Sequence, residues 1–283
     1  MSTLAQRAVA SIPVKPRLAS GLVIGGSMLL ALAAAALLAP ALSSGDPNAQ
    51  NFEAILQAPS LAHPFGTDNF GRDVFTRVLF GAQIDLRIGV LAIVFPFLFG
   101  SLAGAVAGYY GGWVDAVVMR AVDVITAVPF LVLVIAIVSF LGSGEINIFL
   151  AIAGVGWVTY SRLVRGEVLR EKNLEYVAAV RSLGFPRRRI ILRHILPNAV
   201  APAIIFLASD VVLVILTTAT LGFLGLGIRP PAPEWGMMIS EGRDFLSSGW
   251  WVAAMPGFAC MYAGLAFILL GDGIADILRV RGQ

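Results

Sequence analysis

One cysteine, two histidines and two lysines are all that the 283 residues contain of those types. Cys260 sits inside an apolar run, so neither an intrachain disulfide nor a cysteine metal site is available. His63 and His194 are too few and too far apart in sequence to suggest a metal cage, and no metal site is expected. Neither Lys15 nor Lys172 follows a G-x-x-x-x-G frame, which removes a phosphate loop and an ATPase site of that kind from this chain. No G-x-S-x-G elbow or H-E-x-x-H helix is present either, so no catalytic residues are assigned. Charge is scarce as well. Asp, Glu, Lys and Arg make up 13% of the chain, against about 25% in an average soluble domain. A net charge of +3 gives no case for nucleic acid.

What fills the chain is hydrocarbon: 58% hydrophobic residues and a mean hydropathy of +0.86. Apolar runs of roughly 20 residues cross a ~30 Å bilayer core as helices. The fold class is therefore an all-α integral membrane protein with six transmembrane helices, near 21–42, 84–108, 125–142, 147–161, 200–222 and 252–275. The first run is about 22 residues long, beyond the 7–15 of a signal-peptide core, and is read as an uncleaved span. The chain divides into a segment 1–20, the first span 21–42, and a loop 43–83 with a short amphipathic helix in "GRDVFTRVLFGA". A membrane domain 84–276 follows, containing a polar segment 162–199, then a tail 277–283. With the amino terminus inside, fifteen Lys and Arg fall on the cytoplasmic side and five outside. That bias places both termini in the cytoplasm.

Gly100, Gly104 and Gly108 recur every four residues, a spacing that lets a second helix approach closely in lipid. Asp210 lies within an apolar run, where a carboxylate must face a bundle interior or a wet cavity. The segment 162–199 contains "EYVAAVRSLGFPRRRIILRHILPN", with five arginines. Helix formers and apolar spacing at Leu163, Val164, Val168, Leu169 and Leu174 predict a helix that ends at Gly184. Pro186 blocks immediate resumption, and a second helix runs through "RRRIILRHIL" to Pro197. Such a hairpin either rests on anionic headgroups or docks into a partner protein.

This segment resembles the EAA signature of permease subunits of bacterial ATP-binding-cassette importers, E-A-A, three residues, Gly, nine residues, I-x-L-P. Counted from Gly184, the glutamate falls on Ala178, the alanines on Ala179 and Val180, and the isoleucine on His194, while Leu196 and Pro197 match. The docking glutamate is thus absent. "HPFGTDNFGRDVFTRVLFGA", "AGYYGGWVDAVVMRAVD", "RHILPN", "LGFLGLG", "PPAPEWGMMISEGR" and "LLGDGIADIL" resemble, in order, the C-type subunit of the dipeptide/oligopeptide/nickel subfamily over about 63–278. Thr218 stands where that subfamily usually has Glu, and the tail "RVRGQ" lacks its Asp-Pro ending.

The resemblance implies a type I importer permease fold and a peptide cargo, with nickel chelate, glutathione or haem as alternatives. It implies a homologous second permease subunit, two ATP-binding subunits carrying ATP and Mg, and an external solute-binding protein, all in the bacterial plasma membrane among its lipids. This chain itself carries no cofactor. The residues expected at the ATPase contact are Tyr176, Ala178, Ala179, Arg181, Gly184, Phe185, Arg187 and Arg188. Asp210 and Thr218 are candidates for the pathway. In the outer segment "GLGIRPPAPEWGMMISEGRDFLSSGWW", Arg229, Glu234, Trp235, Glu241 and Arg243 are candidates for docking the binding protein. A stand-alone channel or secondary transporter is the alternative from another class. It would need more polar residues along several spans, or a repeat between halves.

Overall fold

A computed structural model describes residues 20–43 and 45–281. The basic amino-terminal segment with Arg7, Lys15 and Arg17, and the tail beyond 281, lie outside the described residues. The long helices are α1 (Ser20–Leu37), α2 (Val74–Leu91), α3 (Val94–Tyr110), α4 (Gly112–Thr126) and α5 (Phe130–Leu141). They continue as α6 (Glu145–Glu171), α7 (Glu175–Ser182), α8 (Ala201–Phe223), α9 (Trp235–Gly242) and α10 (Trp251–Arg281). Among the described residues five helical runs are long and apolar enough to cross a membrane, or six if α4 and α5 count as one span bent by 83°.

The helices outrun the apolar stretches that announce them. The second span is one 37-residue helical run, Val74–Tyr110, so the amphipathic "VFTRVLFGA" is its first part and not a separate helix in a loop. The reason is local. Asp73 accepts a hydrogen bond from the Thr76 N–H at 2.7 Å and caps the helix there. Likewise α6 passes the end of its apolar stretch and continues to Glu171, because Val164 and Val168 keep one face fully buried.

Helices α3 and α6 form the closest pair. A Cβ on Gly100 would run into the Trp157 carbonyl, one on Gly104 into the Ser161 carbonyl, and one on Gly108 would lie 3.0 Å from Val168 Cβ. Glycine at these three positions is what permits the approach. Two apolar clusters result. The larger joins α2, α5, α6, α8, α9 and α10 around Ile88, Ile148, Ile215 and Trp235. The smaller joins Ala105 of α3, Tyr160, Val164 and Val168 of α6, and Val177, Ile190, Ile191 and Ile195 of the polar segment.

Candidate functional site

The hairpin between α6 and α8 starts where Lys172 donates to the Gly108 carbonyl at 2.7 Å, tying the end of α6 to α3. After α7 the chain turns at Gly184, whose φ is +77°, in the left-handed region that a side chain disfavours. The Gly184 N–H bonds the Arg181 carbonyl at 3.1 Å, and Pro186 then directs the chain into the helical turns over Arg187–Ala199. Those turns widen to a π-type helix over Ile190–Ile195, with the Leu196 N–H reaching back to Ile191 O. Pro197 follows directly and cannot donate a backbone hydrogen bond, which suits such a local rearrangement.

This corner is stiff for a reason that can be named. Val177, Ile190 and Ile195 are buried against α6, and each such side chain contributes about 1.5–3 kcal/mol relative to exposure. Tyr176 adds a polar staple. Its hydroxyl donates to Glu171 Oε2 at 2.6 Å and accepts from Asn198 Nδ2 at 3.3 Å, joining the end of α6 to the helical turn that leads into α8. Burial, and then the bond to Glu171, raise the Tyr176 hydroxyl above its ordinary pKa, so it remains a donor. Tyr176 is therefore an internal brace and not part of the outward face where the sequence placed it.

Ala178, Ala179, Arg181, Gly184, Arg187 and Arg188 are exposed, and Phe185 is half-buried. Arg181 lies over the Tyr109 ring, Arg187 over Tyr110 and Arg189 over Phe185. Among the described residues none of Arg181, Arg187, Arg188, Arg189 and Arg193 forms an ion pair. Leu183 was not singled out by sequence, yet it is 74% exposed at the tip of the corner. Its signal was an apolar residue directly before the helix-ending glycine. The outward face is thus small and apolar at the centre, with unpaired guanidinium groups around it.

The outer segment behaves differently. Trp235 is 0% exposed, with its indole N–H donating to the Val78 carbonyl at 3.0 Å and its backbone N–H to Asp85 Oδ2 at 3.1 Å. Glu234 is buried as well and caps α9 through the Gly236 and Met237 N–H groups at 2.7 and 2.8 Å. A Cβ on Gly236 would collide with the Ala219 backbone of α8. Glu234 and Trp235 are therefore wedged between α2 and α8 and unavailable to an external partner, which corrects their reading as docking residues. Glu241 is engaged inward too. It accepts from Arg72 Nη2 at 2.8 Å, and Arg72 Nε bonds Asp68 at 2.5 Å. Buried Arg77 completes the cluster, 3.6 Å from Glu241 and 3.8 Å from Asp68. Arg229 and Arg243 remain exposed.

The two pathway candidates also part company. Thr218 is fully buried, with an unpartnered hydroxyl. Asp210 accepts a hydrogen bond from the Tyr160 hydroxyl at 2.6 Å and lines a cavity. Asp85 was missed because the sequence put it at the edge of the second span; it is fully buried inside the bundle beside Glu234.

An all-helical membrane bundle with a rigid basic hairpin between its last core helices has a counterpart among known proteins. Residues 100–281 match the family described as binding-protein-dependent transport system inner membrane component. The chain belongs to this family. It is 42% identical over 258 residues to a protein named Dipeptide transport system permease protein DppC from Alkalihalophilus pseudofirmus, covering 91% of this chain and 84% of that one. It is 42% identical over 242 residues to the Probable D,D-dipeptide transport system permease protein DdpC of Escherichia coli, covering 86% and 81%. The Glutathione transport system permease protein GsiD of Pectobacterium atrosepticum is 40% identical over 257 residues, covering 90% and 85%. The chain is accordingly a multi-pass plasma-membrane permease, one component of a multi-subunit importer. The family match begins inside α3 and takes in the hairpin, α8, α9 and α10.

Proposed function

We propose that this permease carries di- or oligopeptides inward, driven by ATP hydrolysed on separate subunits that grip the Gly184 corner. Both termini and the hairpin then face the cytoplasm, in keeping with fifteen of the twenty Lys and Arg falling on that side. A homologous second permease completes the path, two ATP-binding subunits with ATP and Mg lie beneath, and a solute-binding protein delivers cargo from outside. The single observation that carries the coupling role is the corner itself. It offers Ala178, Ala179 and Leu183 outward, while Val177, Ile190 and the Tyr176 brace fix its base. Force applied at Leu183 therefore reaches α6 and α8 without being absorbed by a slack linker. Arg181, Arg187 and Arg188 supply charge at the rim. The missing glutamate at Ala178 shifts the work of contact onto apolar packing and these guanidiniums.

Peptide is the cargo of choice because several relatives carry dipeptide or peptide in their names. The name of GsiD keeps glutathione as the second candidate. Identifying the ligand retained by the partner binding protein decides between them. For the coupling role the test is Gly184→Val. A Cβ there meets nothing within 4 Å, but the backbone must leave φ +77° or bear about 1–3 kcal/mol of strain. Membrane insertion should persist while ATP hydrolysis no longer drives uptake. Unchanged uptake and unchanged stimulated hydrolysis would remove the corner from the mechanism.

A further inference from the structure

The cavity beside Asp210 lies where the third span breaks. Helix α4 ends at Thr126 and α5 starts at Phe130, with an 83° bend between them. Thr126, Pro129 and Phe130 from the break, Thr159 of α6, and Phe206 and Asp210 of α8 line a space of about 210 Å³. Depth follows from helix geometry at ~1.5 Å per residue. Asp210 is roughly 14 Å from the start of α8 and roughly 20 Å from its end, inside a bilayer core. The break is about 18 Å from the far end of α5 by the same measure.

Two features of this place call for an explanation. Non-helical backbone at membrane depth persists only where protein covers it or water reaches it, yet Val128 in the break is 38% exposed. Asp210 is 7% exposed, and its partner at hydrogen-bond distance is the neutral Tyr160 hydroxyl. Among the described residues no Lys, Arg or His forms an ion pair with it. Arg162 is tied to the cavity wall through Thr126 Oγ1 at 3.0 Å but is already paired with Asp123 at 3.0 Å. A carboxylate held in low dielectric without a cation carries a desolvation cost that an incoming positive charge relieves.

We infer that this cavity receives the primary ammonium group of the solute in transit, with Asp210 as its counter-ion. The inference rests on the peptide-importer reading, since a peptide with a free amino terminus must carry that charge across the bilayer. The Tyr160 hydroxyl holds one carboxylate oxygen and leaves the other for the ammonium. Thr159 lines the same cavity and offers a hydroxyl acceptor to a remaining N–H, whereas Thr126 Oγ1 is already held between the Val122 carbonyl and Arg162. The bend supplies the opening. Pro129 cannot continue the hydrogen-bond ladder of α4, and the chain opens there onto a mainly apolar cavity in which Asp210 is the one carboxylate.

The test uses the complete importer in proteoliposomes with its binding protein and a labelled dipeptide. Asp210→Asn still accepts the Tyr160 hydrogen bond, so it removes the charge while keeping that contact. Uptake should fall about tenfold or more, the worth of a charge-assisted hydrogen bond, and Asp210→Glu should restore part of it. A second measurement covers any loss of assembly. In a Cys260→Ala background, Asp210→Cys should react with a water-soluble thiol reagent, and more slowly while peptide, binding protein and ATP are turning over. Asparagine at 210 transporting like wild type would overturn the inference and leave the importer reading standing. A cysteine at 210 that never reacts, or reacts at one rate throughout, would do the same. If the wild-type importer takes up no peptide, the importer reading fails and this inference falls with it.

Discussion

The two polar insertions of this bundle, the hairpin over 172–199 and the outer segment around α9, treat their charges in opposite ways. In the outer segment Glu241 turns inward to Arg72 and Arg77, which with Asp68 belong to the loop before α2 and to its first turn, and Glu234 is spent on capping α9. Trp235 fills the gap between α2 and α8. In the hairpin, five arginines remain unpaired among the described residues, and Leu183 projects from the corner. Charge turned inward builds a wall that needs no partner. Charge and apolar surface turned outward around a braced corner leave an interaction unfinished. The difference separates structure from coupling more sharply than polarity alone, because by composition both segments look like surface loops.

Breaking the wall should have the largest effect. Trp235→Ala removes a fully buried indole and its bond to Val78, a loss of about 3–5 kcal/mol. The yield of folded permease and its thermal midpoint in detergent should both drop steeply. Leu183→Asp should do the reverse. At an exposed position it shifts stability by no more than about ±0.5 kcal/mol, yet it should abolish co-purification of the ATPase subunits. Wild-type assembly by Leu183→Asp, or wild-type stability in Trp235→Ala, would collapse the distinction drawn above.

The same comparison can be sharpened by pH. Burial raises the Glu234 carboxyl above its ordinary range, against opposing hydrogen bonds from the Gly236 and Met237 N–H groups and from its buried neighbour Asp85. A folded-state pKa above the unfolded one means the native form binds the extra proton. Its stabilising contribution is complete below the ordinary carboxylate range and is lost as pH rises above that range through the raised folded-state value. The protection factors of the α9 amides, with the base-catalysed rise of intrinsic exchange divided out, should therefore fall between pH 6 and pH 8. Glu234→Gln, uncharged at both values, should flatten that response. Protection factors in α7, across the molecule, should not follow it.

Much of the fold was legible because hydropathy reports directly on lipid, and the glycines at 100, 104 and 108 report on helix approach. Gly184 followed by Pro186 also declared itself, since few other residue pairs end a helix so firmly. The outer segment misled for a physical reason. "PPAPEWG" has the composition of an exposed turn, and no periodicity shows that the chain dips back between α2 and α8. Asp85 was hidden by a boundary, lying one residue inside an apolar run whose helix begins much earlier, at Val74. Tyr176 was misread because its partner Glu171 is five residues back across a helix break, a spacing that no single helix would bring together.

The smallest effect belongs to that tyrosine, and it tests whether the corner is rigid by design. Tyr176→Phe keeps the ring against Ile190 and its neighbours but deletes the hydroxyl that Glu171 and Asn198 share. The bond to the Glu171 carboxylate is charge-assisted, and at a partly buried site it contributes about 1.5 kcal/mol, the low end for such bonds. Global stability should therefore fall by no more than that, whereas exchange of the α7 amides should accelerate by up to about tenfold, as 1.4 kcal/mol corresponds to one decade. Uptake per ATP should fall in step, because a looser base lets the corner yield before α6 and α8 move. Faster α7 exchange with unchanged uptake per ATP would mean that the apolar base alone transmits the stroke, and the polar brace would be reduced to a local fastening.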